Sequence, residues 1–152
     1  LYSGITLTGE YANFNPETGS VTLRDNLKVI YEEYSLEAEQ LQGNLEDENV
    51  EISGNIYIEG GEFNIRGERL VYNSDSENIV MEDNILLNYN EFEVKSQVLT
   101  YYLKENRAVM EGNITGKQDG REFSAEKVIF DIEKETVNLK GGASFIFPDR
   151  GE

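Results

Sequence analysis

The stretch Val50-Glu51-Ile52-Ser53-Gly54-Asn55-Ile56-Tyr57-Ile58 decides the fold. Its apolar residues stand at 50, 52, 56 and 58, the period of two that puts them on one side of an extended strand. Gly54-Asn55 breaks the run at its middle, and small or turn-prone residues inside a strand mark a bend or bulge. The pattern returns 29 residues later as Ile79-Val80-Met81-Glu82-Asp83-Asn84-Ile85-Leu86-Leu87. Around it, Asn26, Asn55, Asn84, Asn113 and Gly142 all fall at that interval. Before each lies Asp25, Gly54, Asp83, Gly112 or Gly141. Five units of 29 cover 145 of the 152 residues without an insertion. Self-similarity at such a period marks a repeat architecture in which no unit buries its apolar side alone.

Each unit also holds an earlier strand whose phase slips. Leu36, Ile65, Val94 and Phe123 share a phase with the small residues Ala38, Gly67, Ser96 and Ala125. The next apolar pair, such as Leu70 and Tyr72 or Leu99 and Tyr101, comes one residue late. A slip of one turns a strand inside out unless a bulge absorbs an extra residue, so this strand is expected to carry a bulge and turn a corner too. Two bent strands per unit give about ten, each crossing two sheets, joined by polar links such as Asn73-Ser74-Asp75-Ser76 and Gly60-Gly61-Glu62. Residues 1–152 read as a single all-β domain, and Leu36-Glu37-Ala38-Glu39-Gln40-Leu41-Gln42 as strand, because its counterparts are β-branched and aromatic.

A parallel β-helix with one coil per unit is the rival. The slot Glu10, Glu39, Glu68, Gln97, Glu126 discriminates. Parallel coils would stack these acids about 4.8 Å apart, a destabilising like-charge column. An antiparallel meander doubles the spacing to about 9.6 Å, close to the ~8–10 Å screening length. The antiparallel arrangement is expected.

Composition narrows function. A net charge of -17 disfavours nucleic acid, which needs clustered Lys and Arg. The chain has neither Cys nor His, removing disulfides, thiolate sites, and the commonest general base and transition-metal ligand. No catalytic constellation, cofactor motif or metal set stands out. Asp25 and Asp83, two units apart, read as bend residues. The segment from Asn73 to Glu77 lacks the Gly and terminal Glu of a calcium loop. No run approaches the ~18–20 apolar residues of a membrane helix. Leu1 in place of an initiator Met reads as a processed or trimmed start.

The pattern apolar-x-small-Glu-x-apolar-apolar-Tyr, a polar turn, then apolar-x-apolar-x-Gly-Asn-apolar resembles the repeat of the OstA-like lipopolysaccharide-transport family, of the LptA and LptC kind. Ile65-Arg66-Gly67-Glu68-Arg69-Leu70-Val71-Tyr72 with Val80-Met81-Glu82-Asp83-Asn84 carries it, as do Val109-Met110-Glu111-Gly112-Asn113-Ile114 and Phe123-Ser124-Ala125-Glu126-Lys127-Val128. The first unit and the last, with Gly141-Gly142 for Gly-Asn, depart from it. The resemblance implies a semi-open antiparallel β-jelly roll in the periplasm. Its apolar groove would carry the acyl chains of lipopolysaccharide or lipid A. Copies, or same-fold transport components, would join head to tail between the two membranes, and no enzyme activity or cofactor is implied. Both the bridging protein and its membrane-anchored relative fit.

On that basis the groove candidates are Ile52, Ile56, Ile58, Ile65, Leu70, Tyr72, Met81, Ile85, Leu87, Val94, Leu99, Tyr101, Met110 and Ile114. Met81 and Met110 occupy equivalent slots, and methionine adapts to irregular apolar partners. The assembly edges are Ile5 and Leu7 at one end and Phe145, Ile146 and Phe147 at the other. The same inward residues would equally make an ordinary core. The alternatives are therefore a structural or adhesive β-repeat protein of the cell surface with no lipid ligand, and a polysaccharide-acting enzyme. The even spread of acids along the turns argues against the enzyme.

Overall fold

The computed structural model describes residues 4–146. They form twelve strands and no helix. Eight are long: β3 (Ser20–Tyr31), β4 (Tyr34–Asn44), β5 (Asn49–Gly60), β6 (Phe63–Asn73), β7 (Asn78–Tyr89), β8 (Phe92–Tyr102), β9 (Arg107–Gln118) and β10 (Arg121–Asp131). Each pairs antiparallel with the next in sequence. The short strands β1 (Ile5–Thr8) and β2 (Tyr11–Phe14) both pair with β3. Likewise β11 (Thr136–Lys140) and β12 (Ser144–Ile146) both pair with β10. The terminal ribbons are thus single bent strands broken at the corner, and the array does not close. This is the all-β, antiparallel jelly roll expected from the sequence.

Each odd-numbered long strand, β3, β5, β7 and β9, turns at the predicted pair. Gly54 and Asn55 have φ of 87° and 45°, Asp83 and Asn84 of 70° and 54°, Gly112 and Asn113 of 88° and 47°. These left-handed values suit Gly, Asn and Asp, whose short side chains tolerate them. The ladder shifts by one residue there: Ser53 pairs with Arg69 and Ile56 with Gly67. The extra residue lies in β5, and in β3, β7 and β9 likewise. The expectation of a bulge in the earlier strand of each unit needs correcting on this point. Gly67 and Leu70 do both face inward, so the phase slip in β6 is real. It is accommodated by the bulge on the neighbouring strands, because a ladder needs only one member of a pair to supply the additional residue.

The line of bulges forms a spine, along which the sheet folds into two faces. Sheet I runs from the spine to the tight turns at 32–33, 61–62, 90–91 and 119–120. Sheet II runs to the longer turns at 45–48, 74–77, 103–106 and 132–135. Asn15, Asn44 and Asn73, again 29 apart, open turns beside sheet II by accepting backbone N–H bonds, from Glu17, Glu46 and Asp75 respectively. Rings from the two sheets meet: Tyr89 and Phe92 of sheet I both contact Phe130 of sheet II, at centroid separations of 6.0 and 6.2 Å.

Glu39 and Glu68 do not pair. They flank β5, and Asn55 bridges them by donating from Nδ2 to Glu39 and from its backbone N–H to Glu68, at 3.1 and 3.4 Å. On the outer side of sheet II, Arg69 bridges Glu51 and Glu82 at 3.3 and 2.7 Å. All three are well exposed, so these pairs organise the surface and add little stability.

Candidate functional site: the interior between the sheets

The inward side chains line up in rows across the strands because paired residues share a side. Beside the spine on sheet II the row is Leu23, Leu41, Ile52, Leu70, Met81, Leu99, Met110 and Val128. Across the spine on sheet I it is Leu27, Ala38, Ile56, Gly67, Ile85, Ser96, Ile114 and Ala125. Alternation of large and small residues in that second row has a steric cause. A Cβ on Gly67 would lie 2.9 Å from Ile85 Cδ1 and 3.0 Å from Met81 Cε, so the crease has no room there for a side chain. Ser96 fits by donating its hydroxyl to the Val98 carbonyl at 3.1 Å.

All fourteen groove candidates belong to the interior, at two depths. Ten are buried: Ile52, Ile56, Leu70, Met81, Ile85, Leu87, Val94, Leu99, Met110 and Ile114. Met81 is 1% exposed and Met110 0%, so the crease is filled with aliphatic side chains. Ile58, Ile65, Tyr72 and Tyr101, further from the spine, are half-buried. Among the described residues, the interior is uncovered beside β1 and β2. Leu7 pairs with Val29 and Phe14 with Val21 on the inward side, yet they are 43% and 53% exposed. Of the proposed edges, Ile5 and Leu7 lie on β1, and Phe145 and Ile146 on β12, registered against Phe123 and Glu122. Phe147 lies outside the described residues.

One set of interior residues is absent from the candidates drawn from sequence. Tyr34, Phe63 and Phe92 open successive even-numbered strands of sheet I, and their 29-residue spacing is the signal that could have found them. Tyr34 stacks at 5.8 Å on Phe63 across Gly60, whose hydrogen makes room for the ring. On the far rim, the Tyr101 hydroxyl donates to Asn106 Oδ1. Burial, and then the nearby Tyr34 hydroxyl, raise its pKa above the ordinary tyrosine value.

Two polar hollows lie elsewhere. One of ≈ 500 Å³ lies by the first bulge among Glu10, Arg24, Asp25 and Glu39; one of ≈ 320 Å³ lies among Glu93, Lys95, Lys117 and Ser124. No group of three potential metal-ligating side chains occurs among the described residues. No helix there is long and apolar enough to cross a membrane.

An open-ended antiparallel sheet folded along a spine of bulges, with a continuous apolar interior, defines a class of β-jelly roll. Residues 35–136 match the family described as "LptA/(LptD N-terminal domain) LPS transport protein", and the chain belongs to that family of lipopolysaccharide-transport proteins. Among solved structures, it is similar to that of LptH, the LptA homologous periplasmic component of the conserved lipopolysaccharide transport device from Pseudomonas aeruginosa. That similarity has 14% identity, 95% coverage of each chain and a TM-score of 0.43. A search of curated proteins returned no match.

Proposed function

We propose that this chain is a non-enzymatic periplasmic carrier of lipopolysaccharide, taking the acyl chains between its two sheets and bridging the membranes by edge-to-edge assembly. Membership of a lipopolysaccharide-transport family supports the ligand. The observation that carries the mode of binding is the unbroken inward apolar surface from β1 to β10, uncovered at Leu7 and Phe14. Among the described residues the outer sides of β1, β2, β11 and β12 are unpaired, which supports strand addition by a second copy or a same-fold partner. The net charge of -17 is compatible with an anionic glycolipid if only the acyl chains enter and the phosphates stay in water.

A second reading, a structural β-repeat protein with a dry core, draws on the near-complete burial of Met81, Val94 and Met110. Photo-crosslinking separates the two. A photoreactive residue at Ile58 or Tyr72, half-buried on the inward side, or at Met81, should capture lipopolysaccharide. One at the outward Glu51 or Glu82 should not. Equal capture at all five positions, or none at any, favours the dry-core protein.

A further inference from the structure

Among the described residues, the inward tyrosines stand only at the mouth of the interior, away from the spine. Tyr31, Tyr34 and Tyr89 occupy the outer end of the inward side of sheet I, and Tyr72 and Tyr101 that of sheet II. Beside the spine the inward side chains are aliphatic or small. Tyr72 follows Leu70 by two residues and Tyr31 follows Leu27 by four, which places them about 7 and 13 Å out from the crease. Hydroxyls are thus sorted by depth.

Their bonding differs from that of the outward tyrosines. Tyr11, Tyr57 and Tyr102 each lie under a guanidinium, of Arg24, Arg66 and Arg107, at 4.1, 4.4 and 5.3 Å. Tyr57 also donates its hydroxyl to Glu59. In the inward set Tyr101 donates to Asn106 Oδ1. The hydroxyls of Tyr31, Tyr34, Tyr72 and Tyr89 make no hydrogen bond among the described residues. A half-buried phenol ordinarily finds a partner, so these take theirs from water or from a ligand. Two of the five approach from opposite lips. After burial, it is the nearby Tyr34 hydroxyl of sheet I that raises the pKa of Tyr101 on sheet II. Tyr34, Tyr101 and Asn106 therefore make one polar station across the mouth.

Phenols and carboxamides are uncharged donors and acceptors. They suit ester and amide carbonyls and sugar hydroxyls. Phosphate draws its strong bonds from Arg and Lys, and a net charge of -17 repels it. We propose that the mouth tyrosines, centred on Tyr34 facing Tyr101 and Asn106, hold the uncharged linkage region of the cargo, where acyl chains join the sugar, and so fix how deep the lipid sits. The inference rests on the reading of the interior as the acyl-chain site and names the part of the ligand that meets its mouth. Rings bury against the chains while hydroxyls meet the polar linkage, the division of labour that suits tyrosine to a boundary between hydrocarbon and water.

Tyrosine-to-phenylalanine changes test this, because they remove the hydroxyl and keep the ring. The variants are Tyr34→Phe with Tyr101→Phe, Tyr72→Phe alone, and the outward Tyr57→Phe as control. Three probes are used: the apolar dye N-phenyl-1-naphthylamine, read by its fluorescence, and lipid A and dephosphorylated lipid A, each immobilised on a sensor surface. The double variant should bind both lipid forms about tenfold more weakly and Tyr72→Phe about threefold, with dye affinity unchanged. Tyr57→Phe should alter none of the three. Lipid affinities unchanged in both mouth variants overturn the inference. So does an equal loss of dye binding, which would mark a packing role, or a loss confined to the phosphorylated form, which would mark a phosphate contact. Tyr72→Phe breaks no bond among the described residues, so it decides the matter if loss of the Asn106 bond unfolds the double variant. A wild type that binds neither lipid form refutes the acyl-chain reading itself, and the inference with it.

Discussion

Asn55 Nδ2 donates to Glu39 Oε1 at 3.1 Å, joining the two slots that recur through the chain at the 29-residue interval. Asn26 and Glu10 make the same bond at 2.9 Å. In these two units the Asn holds the left-handed bulge, and the Glu sixteen residues earlier accepts from its amide. Both slots therefore serve one device, the corner of the jelly roll.

At Gly54 the glutamate also occupies the space a side chain would need. A Cβ at Gly54 would fall 2.0 Å from Glu39 Oε2 and 2.7 Å from its Cβ, at a φ of 87°. Gly54→Ala should destabilise by about 2 kcal/mol or more, combining the left-handed backbone penalty with the overlap. Adding Glu39→Ala should recover the overlap part, giving a coupling of about 1 kcal/mol in a double-mutant cycle of urea unfolding. Strict additivity would show that Glu39 does not pack on the bulge.

At the crease, Gly67→Val should cost about 1–3 kcal/mol, because the new side chain must displace Met81 Cε and Ile85 Cδ1. Met81→Ala in the same chain should recover part of that loss by vacating space. Thermal unfolding of the single and double variants checks this, and a double variant less stable than both singles contradicts it.

Tyr101 makes stability depend on alkaline pH. Burial and Tyr34 hold its pKa above the ordinary value of 10.0, so above that pH the folded form binds more protons than the unfolded one. Its contribution is complete below pH 10 and is lost as pH rises through the folded pKa. Tyr101→Phe should flatten this alkaline decline while lowering stability at neutral pH through loss of the bond to Asn106. A decline of unchanged steepness would assign it to other groups.

Assembly should follow the open edges. Contacts between the β1/β2 edge of one copy and the β11/β12 edge of the next do not close, so sedimentation should show mass rising with concentration. Ile146→Pro removes a donor from β12 and should suppress the rise while leaving the unfolding of β4 to β9 intact. A mass that stays monomeric at high concentration, with no same-fold partner bound, removes the bridging mechanism.

The sequence by itself determined the strands, the corners and the antiparallel order. Alternation is a local property, and Gly54-Asn55, Asp83-Asn84 and Gly112-Asn113 declare left-handed backbone wherever they stand. It also put Met81 and Leu70 on the side that packs inward, since a strand's two sides follow from counting. Only the tertiary structure decided which neighbouring strand holds the extra residue at each corner, because a bulge belongs to a pair of strands and parity in one cannot locate it. Depth was likewise hidden: Met81 and Tyr72 share a side, yet one fills the crease and the other stands at the rim, a distance measured from the fold line between sheets. The contact between the two sheets was the least legible. Tyr89 and Phe130 lie 41 residues apart in different strands and sheets, and their contact exists only because the array bends back on itself.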